Sequence, residues 1–212
     1  MAEAMGLRER KKRETALRIY RTAIALFVQR GFDNVSVQEI ADAAEVSKMT
    51  VFNYFGSKED LVLAPAKEHF GDVARAVRER GPGESAVEAV RRQFLEMIEA
   101  RDPSVGLNSE PLSRQVRRLV ADTPVLVERA FVSFQKATRG LAAILAEETG
   151  DPMLATVAAA MLSSARNALI EEFHRRIAEG ETPDEVAADA TERAHRAFAL
   201  AENGLRDYAR RP

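Results

Sequence analysis

Apolar residues recur along this chain at intervals of three and four, the spacing of one face of an α-helix. Leu17, Tyr20, Ile24 and Phe27 set a stripe on a first long helix, predicted from about Arg8 to Arg30. Arg30-Gly31-Phe32 ends it: Gly31 can take the left-handed conformation past the last turn, and Phe32 can fold back onto that turn. Three shorter starts follow. Ser36-Val37-Gln38-Glu39 has capping-box spacing, so a helix should open there, carry Val37, Ile40 and Ala41 inward and stop near Ala43. Ser47 caps the next, from Lys48 to about Phe55, and Gly56 breaks it. Ser57 opens a fourth with Glu59 and Asp60 in its first turn, where the helix dipole favours them. Pro65 lies about two turns into that helix, where it removes a backbone hydrogen bond and crowds the preceding turn. A kink is expected there, with helix resuming over Ala66 to Val77.

Gly81-Pro82-Gly83 closes this segment. Five further helices read as Ser85–Ala100, Glu110–Ala121, Pro124–Glu148, Pro152–Ala178 and Pro183–Ala209. The last three each carry proline at the first helical position, where its missing N–H costs nothing. Residues 101–109 read as a loop, and no internal repeat stands out. The expected class is all-α, with about nine helices.

Composition narrows the function classes. The 212 residues suffice for one large domain, or a small one fused to a larger, and 46% apolar with 30% charged residues describes a globular chain. There is no cysteine, which excludes disulfides and thiolate chemistry. No apolar run follows Met1, and the most apolar stretch, near Leu154 to Leu162, is too short to span a bilayer. The expectation is a cytoplasmic chain with no membrane partner. The net charge of −2 does not advertise a nucleic acid, and residues 1–60 hold ten basic against nine acidic side chains. The exception is local: Arg8, Arg10, Lys11, Lys12 and Arg13 crowd the start of the first helix, a run that is by itself more often a solvated face.

The chemically informative stretch is Val35 to Lys58. A short helix, a tight turn at Ala44-Glu45-Val46 and a second short helix opening at Ser47 make a helix-turn-helix, and Ala41, Ala43 and Ala44 are small enough for close approach. Val51 and Phe55 share an inward face. Met49 and Asn53 lie about 200° around the axis from Val51 and must point away. The outward set Lys48, Met49, Thr50, Phe52 and Asn53 has the chemistry of a major-groove reader: asparagine can pair with adenine, and an apolar group can touch a thymine methyl.

Residues 10–63 resemble the DNA-binding domain of the TetR family of transcriptional repressors. The resemblance is carried by Ala23, Leu26, Phe27, Gly31 and Phe32, by Ser36-Val37, Ile40-Ala41 and Ala44 through Ser47, and by Thr50 through Phe55 and Ser57 through Leu61. It implies that Lys48, Met49, Thr50, Phe52 and Asn53 line the recognition face. Tyr54, Lys58 and the region of Ser36 would contact phosphates. Met49 stands where many members have a smaller or basic residue, and Phe52 where many have tyrosine. The implied organisation is an N-terminal three-helix DNA-binding domain over residues 1–56 and a C-terminal ligand-binding and dimerisation domain over 57–212, working on double-stranded operator DNA as a homodimer. A C2 dimer reads two half-sites about one helical turn apart, so the operator should be near-palindromic.

The resemblance also implies release by a small molecule that tilts the fourth helix, with Pro65 as a flexible or pre-bent point. Pocket candidates are Phe94, Met97, Ile98, Val116, Phe131, Phe134 and Met161, with Arg117, Gln135, Arg166 and Asn167 as polar handles. An apolar or amphipathic ligand is expected, and no cofactor or metal. For the dimer, Val186, Ala190, Ala194, Ala197, Ala201 and Leu205 give one small-residue face, and Ala158, Ala165, Ala168 and Leu169 another; core packing within one subunit competes for both. Two rival readings remain. Glu171-x-x-His174 and Glu192-x-x-His195 match the ligand spacing of a helical di-iron enzyme, although Arg175, Arg176, Arg193 and Arg196 crowd them. A ligand-independent regulator or an activator would share the helix-turn-helix.

Overall fold

A computed structural model describes residues 6–205. Among these residues there are eleven α-helices and no strand. They are α1 Leu7–Arg30, α2 Val37–Ala43, α3 Lys48–Phe55, α4 Lys58–Val62, α5 Ala64–His69, α6 Asp72–Arg78, α7 Ala86–Glu99, α8 Pro111–Ala121, α9 Pro124–Thr149, α10 Pro152–Ala178 and α11 Pro183–Leu205. A 3-10 turn at Pro103–Val105 punctuates the expected loop. The expected end of the last helix at Ala209 lies outside the described residues.

The excess over nine helices arises in one place. The expected fourth helix is three pieces, not one kinked rod. α4 stops at Val62, and the N–H of its capping residue Leu63 turns back to the Glu59 and Leu61 carbonyls. Pro65 then sits as the second residue of α5, where no intrahelical partner is missed. The break therefore falls just before the proline instead of bending at it. A second break at Phe70-Gly71, unforeseen in the pattern, restarts the chain as α6.

The chain forms two compact units that do not follow a single cut in the sequence. Of the described residues, one comprises 6–65 together with Pro111–Phe131; the other comprises Ala66–Glu110 and 132–205. The first has its core where Ile19, Ala23, Ile24 and Phe27 of α1 meet Ile40, Ala41, Val51, Leu61 and Leu126, with Leu112, Val116, Leu119 and Val120 of α8 packed against it. Leu17, expected in the α1 stripe, is instead 47% exposed: the buried face is centred on Ala23 and Ile24 and leaves Leu17 beyond its N-terminal edge.

In the second unit, Val87, Val90, Phe94 and Ile98 of α7 interdigitate with Ala155, Ala158, Leu162 and Phe173 of α10 and Val186, Ala190, Ala194 and Phe198 of α11. The Phe94 ring lies 6.4 Å from Phe173 and 5.9 Å, edge-on, from Phe198. Gly106, at φ +91°, lets the loop press on α10: a Cβ there would stand 2.9 Å from the Ile170 carbonyl oxygen. Asp72 is fully buried and accepts from Arg75 at 2.6 Å, meets His69 Nδ1 at 3.0 Å and accepts from Arg166 at 3.3 Å. A buried carboxylate persists only with such partners. α10 is long and apolar enough, by length and composition, to cross a membrane, because alanines extend the apolar run well past Leu162; 33% of that window is buried inside the chain.

Candidate nucleic-acid interface

The reading head is fixed by local chemistry before packing acts. At α2, the Ser36 hydroxyl accepts from the Glu39 N–H at 3.2 Å, while Glu39 Oε2 accepts from the Ser36 N–H at 2.8 Å, a complete capping box. The other Glu39 oxygen accepts from Arg30 at 2.7 Å and ties the end of α1 to the start of α2. The Ser36 amide, then the Ser36 hydroxyl and Arg30, hold the Glu39 carboxyl down to about 2. Past α2 the chain reverses through Glu45 at φ +53°, and the Val46 N–H closes onto the Ala41 carbonyl at 2.9 Å. α3 then starts on Ser47, whose hydroxyl accepts from the Thr50 N–H at 3.0 Å.

This register sends Val51 inward, at 3% exposure, and leaves Lys48, Met49, Phe52 and Asn53 on the surface. Ala41 and Ala44 are buried between the helices, but Ala43 is exposed and takes no part in the approach. Met49 is 66% and Phe52 39% exposed, a large apolar area to leave in water on an eight-residue helix. Thr50 is half-buried, and its hydroxyl lies 2.8 Å from that of Ser47, so it serves the cap first. Tyr54 is half-buried beside Phe55, with ring centroids 6.2 Å apart. A cleft of about 660 Å3 separates the last turn of α3 from the start of α1.

Two expected phosphate contacts are placed differently. The Lys58 ammonium points into the domain, donating to the Phe32 carbonyl at 2.9 Å and the Val35 carbonyl at 3.2 Å, and lies 4.1 Å from the Phe32 ring centroid. Two of its three donors are thus committed to holding the loop between α1 and α2. At Ser36 the Glu39 carboxylate already occupies the helix N-terminus, which a phosphate would have to displace. Sequence reasoning missed that α8 belongs with this head. The spacing of Leu112, Val116, Leu119 and Val120 at i, i+4, i+7 and i+8 was the available signal.

The family model for the N-terminal domain of bacterial regulatory proteins of the tetR family matches residues 19–64, the segment that folds into the second half of α1 and all of α2 to α4. A relative from Streptomyces glaucescens, the HTH-type transcriptional regulator TcmR, is 32% identical over 146 residues, 68% of this chain and 65% of the relative. The chain belongs to the TetR family. The TetR-type fold extends beyond the reading head. Native NalD, the secondary repressor of the MexAB-OprM multidrug efflux pump in Pseudomonas aeruginosa, aligns over 87% of this chain and 96% of its own at TM-score 0.53 and 15% identity. A SmeT–triclosan complex aligns over 90% of this chain and 91% of its own at TM-score 0.53 and 18% identity.

In this TetR-family chain the remaining candidates separate. Phe94 and Ile98 are core residues, 1% and 5% exposed, and Met97 packs against them. Phe134, Gln135, Met161, Arg166 and Asn167 are half-buried in the same unit, and Asn167 donates to Glu171 at 2.7 Å. Val116, Arg117 and Phe131 belong to the other unit, with Val116 packed against its core and Phe131 59% exposed. A cleft of about 600 Å3 along α7, lined by Glu84, Glu88, Arg91, Arg92 and their neighbours, includes none of them.

The expected dimer surface needs correction. Val186, Ala190, Ala194 and Ala201 on α11, and Ala158 and Leu169 on α10, are at most 6% exposed and pack inside this chain's own core. Small residues let helices approach closely, and here the approach is between α7, α10 and α11 of one chain. Ala165 and Ala197 are half-buried and only Ala168 is exposed; the side chain of Leu205 lies outside what is described. Of the paired Glu and His motifs, Glu171, Glu192 and His195 are exposed, and Glu171 accepts from Asn167. Among the described residues no group of three or more His, Cys, Asp or Glu is placed to hold a metal ion.

Proposed function

We propose that this chain is a cytoplasmic transcriptional regulator that reads a near-palindromic DNA operator as a homodimer and is released by a small molecule. The observation that carries the reading is the outward face of α3. Lys48, Met49, Phe52 and Asn53 are exposed together on a helix whose opposite side is anchored by Val51, within the segment that matches the family. Asn53 and Lys48 supply hydrogen-bond recognition of base edges, and Met49 and Phe52 supply apolar contact with thymine methyls. Tyr54 and Thr50 flank this face, while Ser36 and Lys58 act by fixing its position.

The second unit is the proposed effector domain. Met97, Phe134, Gln135, Met161, Arg166 and Asn167 are its candidate contacts for an apolar or amphipathic molecule. The triclosan complex of SmeT and the efflux-pump repressor NalD support that class. For the dimer, α10 offers a better face than the one read from sequence: Met153, Val157, Ala160, Ser164 and Ala168 are exposed at helical spacing and are small or apolar.

Fluorescence anisotropy on a duplex from the region upstream of the chain's own coding sequence tests the reading. Asn53→Ala should lose about 1–3 kcal/mol of binding to that duplex and keep its binding to mixed-sequence DNA. Equal loss on both, or none on either, removes α3 as the base reader. Reporter expression with the same duplex separates repressor from activator. Pro65→Ala, which permits α4 and α5 to fuse, should change the effector concentration needed for release.

A further inference from the structure

The exposed residues of α3 are ordered by polarity. At about 100° per residue, Lys48, Phe52, Met49 and Asn53 follow one another around the outward face at roughly 0°, 40°, 100° and 140°. The two apolar side chains hold the middle, and the ammonium and the amide stand at its margins. Met49 and Phe52 are three apart, so they adjoin across one turn. They are 66% and 39% exposed, and among the described residues neither joins a buried core.

Hydrogen bonding is correspondingly thin at the centre of this face. The Thr50 hydroxyl lies 2.8 Å from that of Ser47, in the cap, and Asn53 sits at the edge that borders the cleft toward α1. In the major groove every base edge presents donors and acceptors, and its one apolar feature is the methyl on C5 of thymine. Cytosine carries hydrogen at that position, and 5-methylcytosine carries the same methyl at the same ring atom. Pressing Met49 and Phe52 onto bare polar edges would strip water from them without replacing its hydrogen bonds. Pressed onto methyls, the same burial is favourable.

We propose that the middle of α3 reads C5-methyl groups whichever pyrimidine bears them. Thymine is its ordinary partner, and 5-methylcytosine takes thymine's place, so cytosine methylation turns a poor half-site into a better one. The inference rests on the reading of α3 as the base reader and divides the work on that face. Lys48 and Asn53 tell bases apart by donors and acceptors, whereas Met49 and Phe52 register a methyl irrespective of the base pair behind it.

The test is anisotropy at about 50 mM KCl on the upstream duplex and on the same duplex with deoxyuridine for every thymine, which keeps the pairing and removes only the methyls. Wild type should lose about fourfold in affinity for each methyl it contacts. Met49→Ala/Phe52→Ala should bind the two duplexes nearly alike, and Met49→Leu/Phe52→Leu should bring the preference for thymine back. Both side chains are exposed, and circular dichroism melting checks that the variants fold. In a second arm, the thymine most sensitive to uracil is replaced by cytosine or by 5-methylcytosine, each paired with guanine. Wild type should bind the methylated duplex about fourfold more tightly, and the alanine variant should not distinguish them. Equal binding of the thymine and uracil duplexes by wild type overturns the proposal. So does a preference for thymine that survives in the alanine variant, which would place it in the shape of the duplex. A 5-methylcytosine duplex bound no better than its cytosine counterpart overturns the claim on methylated sites. Wild-type protein that does not prefer the upstream duplex to mixed-sequence DNA overturns the reading of α3 itself.

Discussion

α3 and α11 divide their apolar surface in opposite ways. α3 is eight residues long, buries Val51 and leaves Met49 and Phe52 in water. α11 is 23 residues long and turns Val186, Ala190, Ala194, Phe198 and Ala201 into the chain's own core. The short helix is held by its caps, by Val51 and by the partly buried Tyr54 and Phe55, which leaves Met49 and Phe52 free to serve a partner. The long helix is held by close approach, and Ala190, Ala194 and Ala201 are used up in that approach. A binding surface is therefore to be sought where apolar area is left over after the core is complete, not where the apolar pattern is most regular.

Substitution can break this contrast. The largest effect is expected at Phe94, which packs edge-on against Phe198 of α11: Phe94→Ala should lower unfolding free energy by about 3–5 kcal/mol. Denaturant titration that shows no loss would return Phe94 to the effector pocket. Ala194→Leu should cost about 1–3 kcal/mol by overpacking, with the association state unchanged; a changed sedimentation profile at unchanged stability would restore α11 as a surface. On α3, Met49→Ser should stay within about 0.5 kcal/mol in stability, because the group it removes touches mainly water.

Two smaller effects sharpen the account of the reading head. Glu45 holds a left-handed conformation at φ +53°, so Glu45→Gly should raise the melting point, equivalent to about 1 kcal/mol; a lower melting point would deny the strain. The Glu39 carboxyl titrates in the folded head at about 2, below its ordinary 4.5. Its contribution is whole above about 4.5 and drains away as pH falls toward 2. Acid titration of Glu39→Gln should lack that limb; identical profiles would remove the capping box as an acid-sensitive element.

Legibility in the sequence followed how strongly local chemistry dictates structure. Ser36, Ser47 and Ser57 each sit at the N-cap expected of a serine before a helical run, because a hydroxyl that accepts a backbone N–H fixes the start within a residue. The outward face of α3 followed from the same register. The break before Pro65 was only half legible, since a proline is compatible with a kink or a restart, and packing decides; the break at Phe70-Gly71 was not legible. The destination of the alanine faces and of Lys58 was not legible. Alanine specifies a close neighbour without naming it, and a lysine reads as surface until the carbonyls of Phe32 and Val35 are known to converge on it.

The three-part segment after α3 has a consequence for exchange with solvent. α4, α5 and α6 are five, six and seven residues long, well short of the dozen or so at which an isolated helix begins to hold in water. Each must borrow its order from side chains beneath it. α4 has Leu61 and Val62, and α6 has Asp72, Val73, Ala76 and Val77, but α5 has no buried residue. Its amides are where deuterium enters this stretch first, ahead of either neighbour.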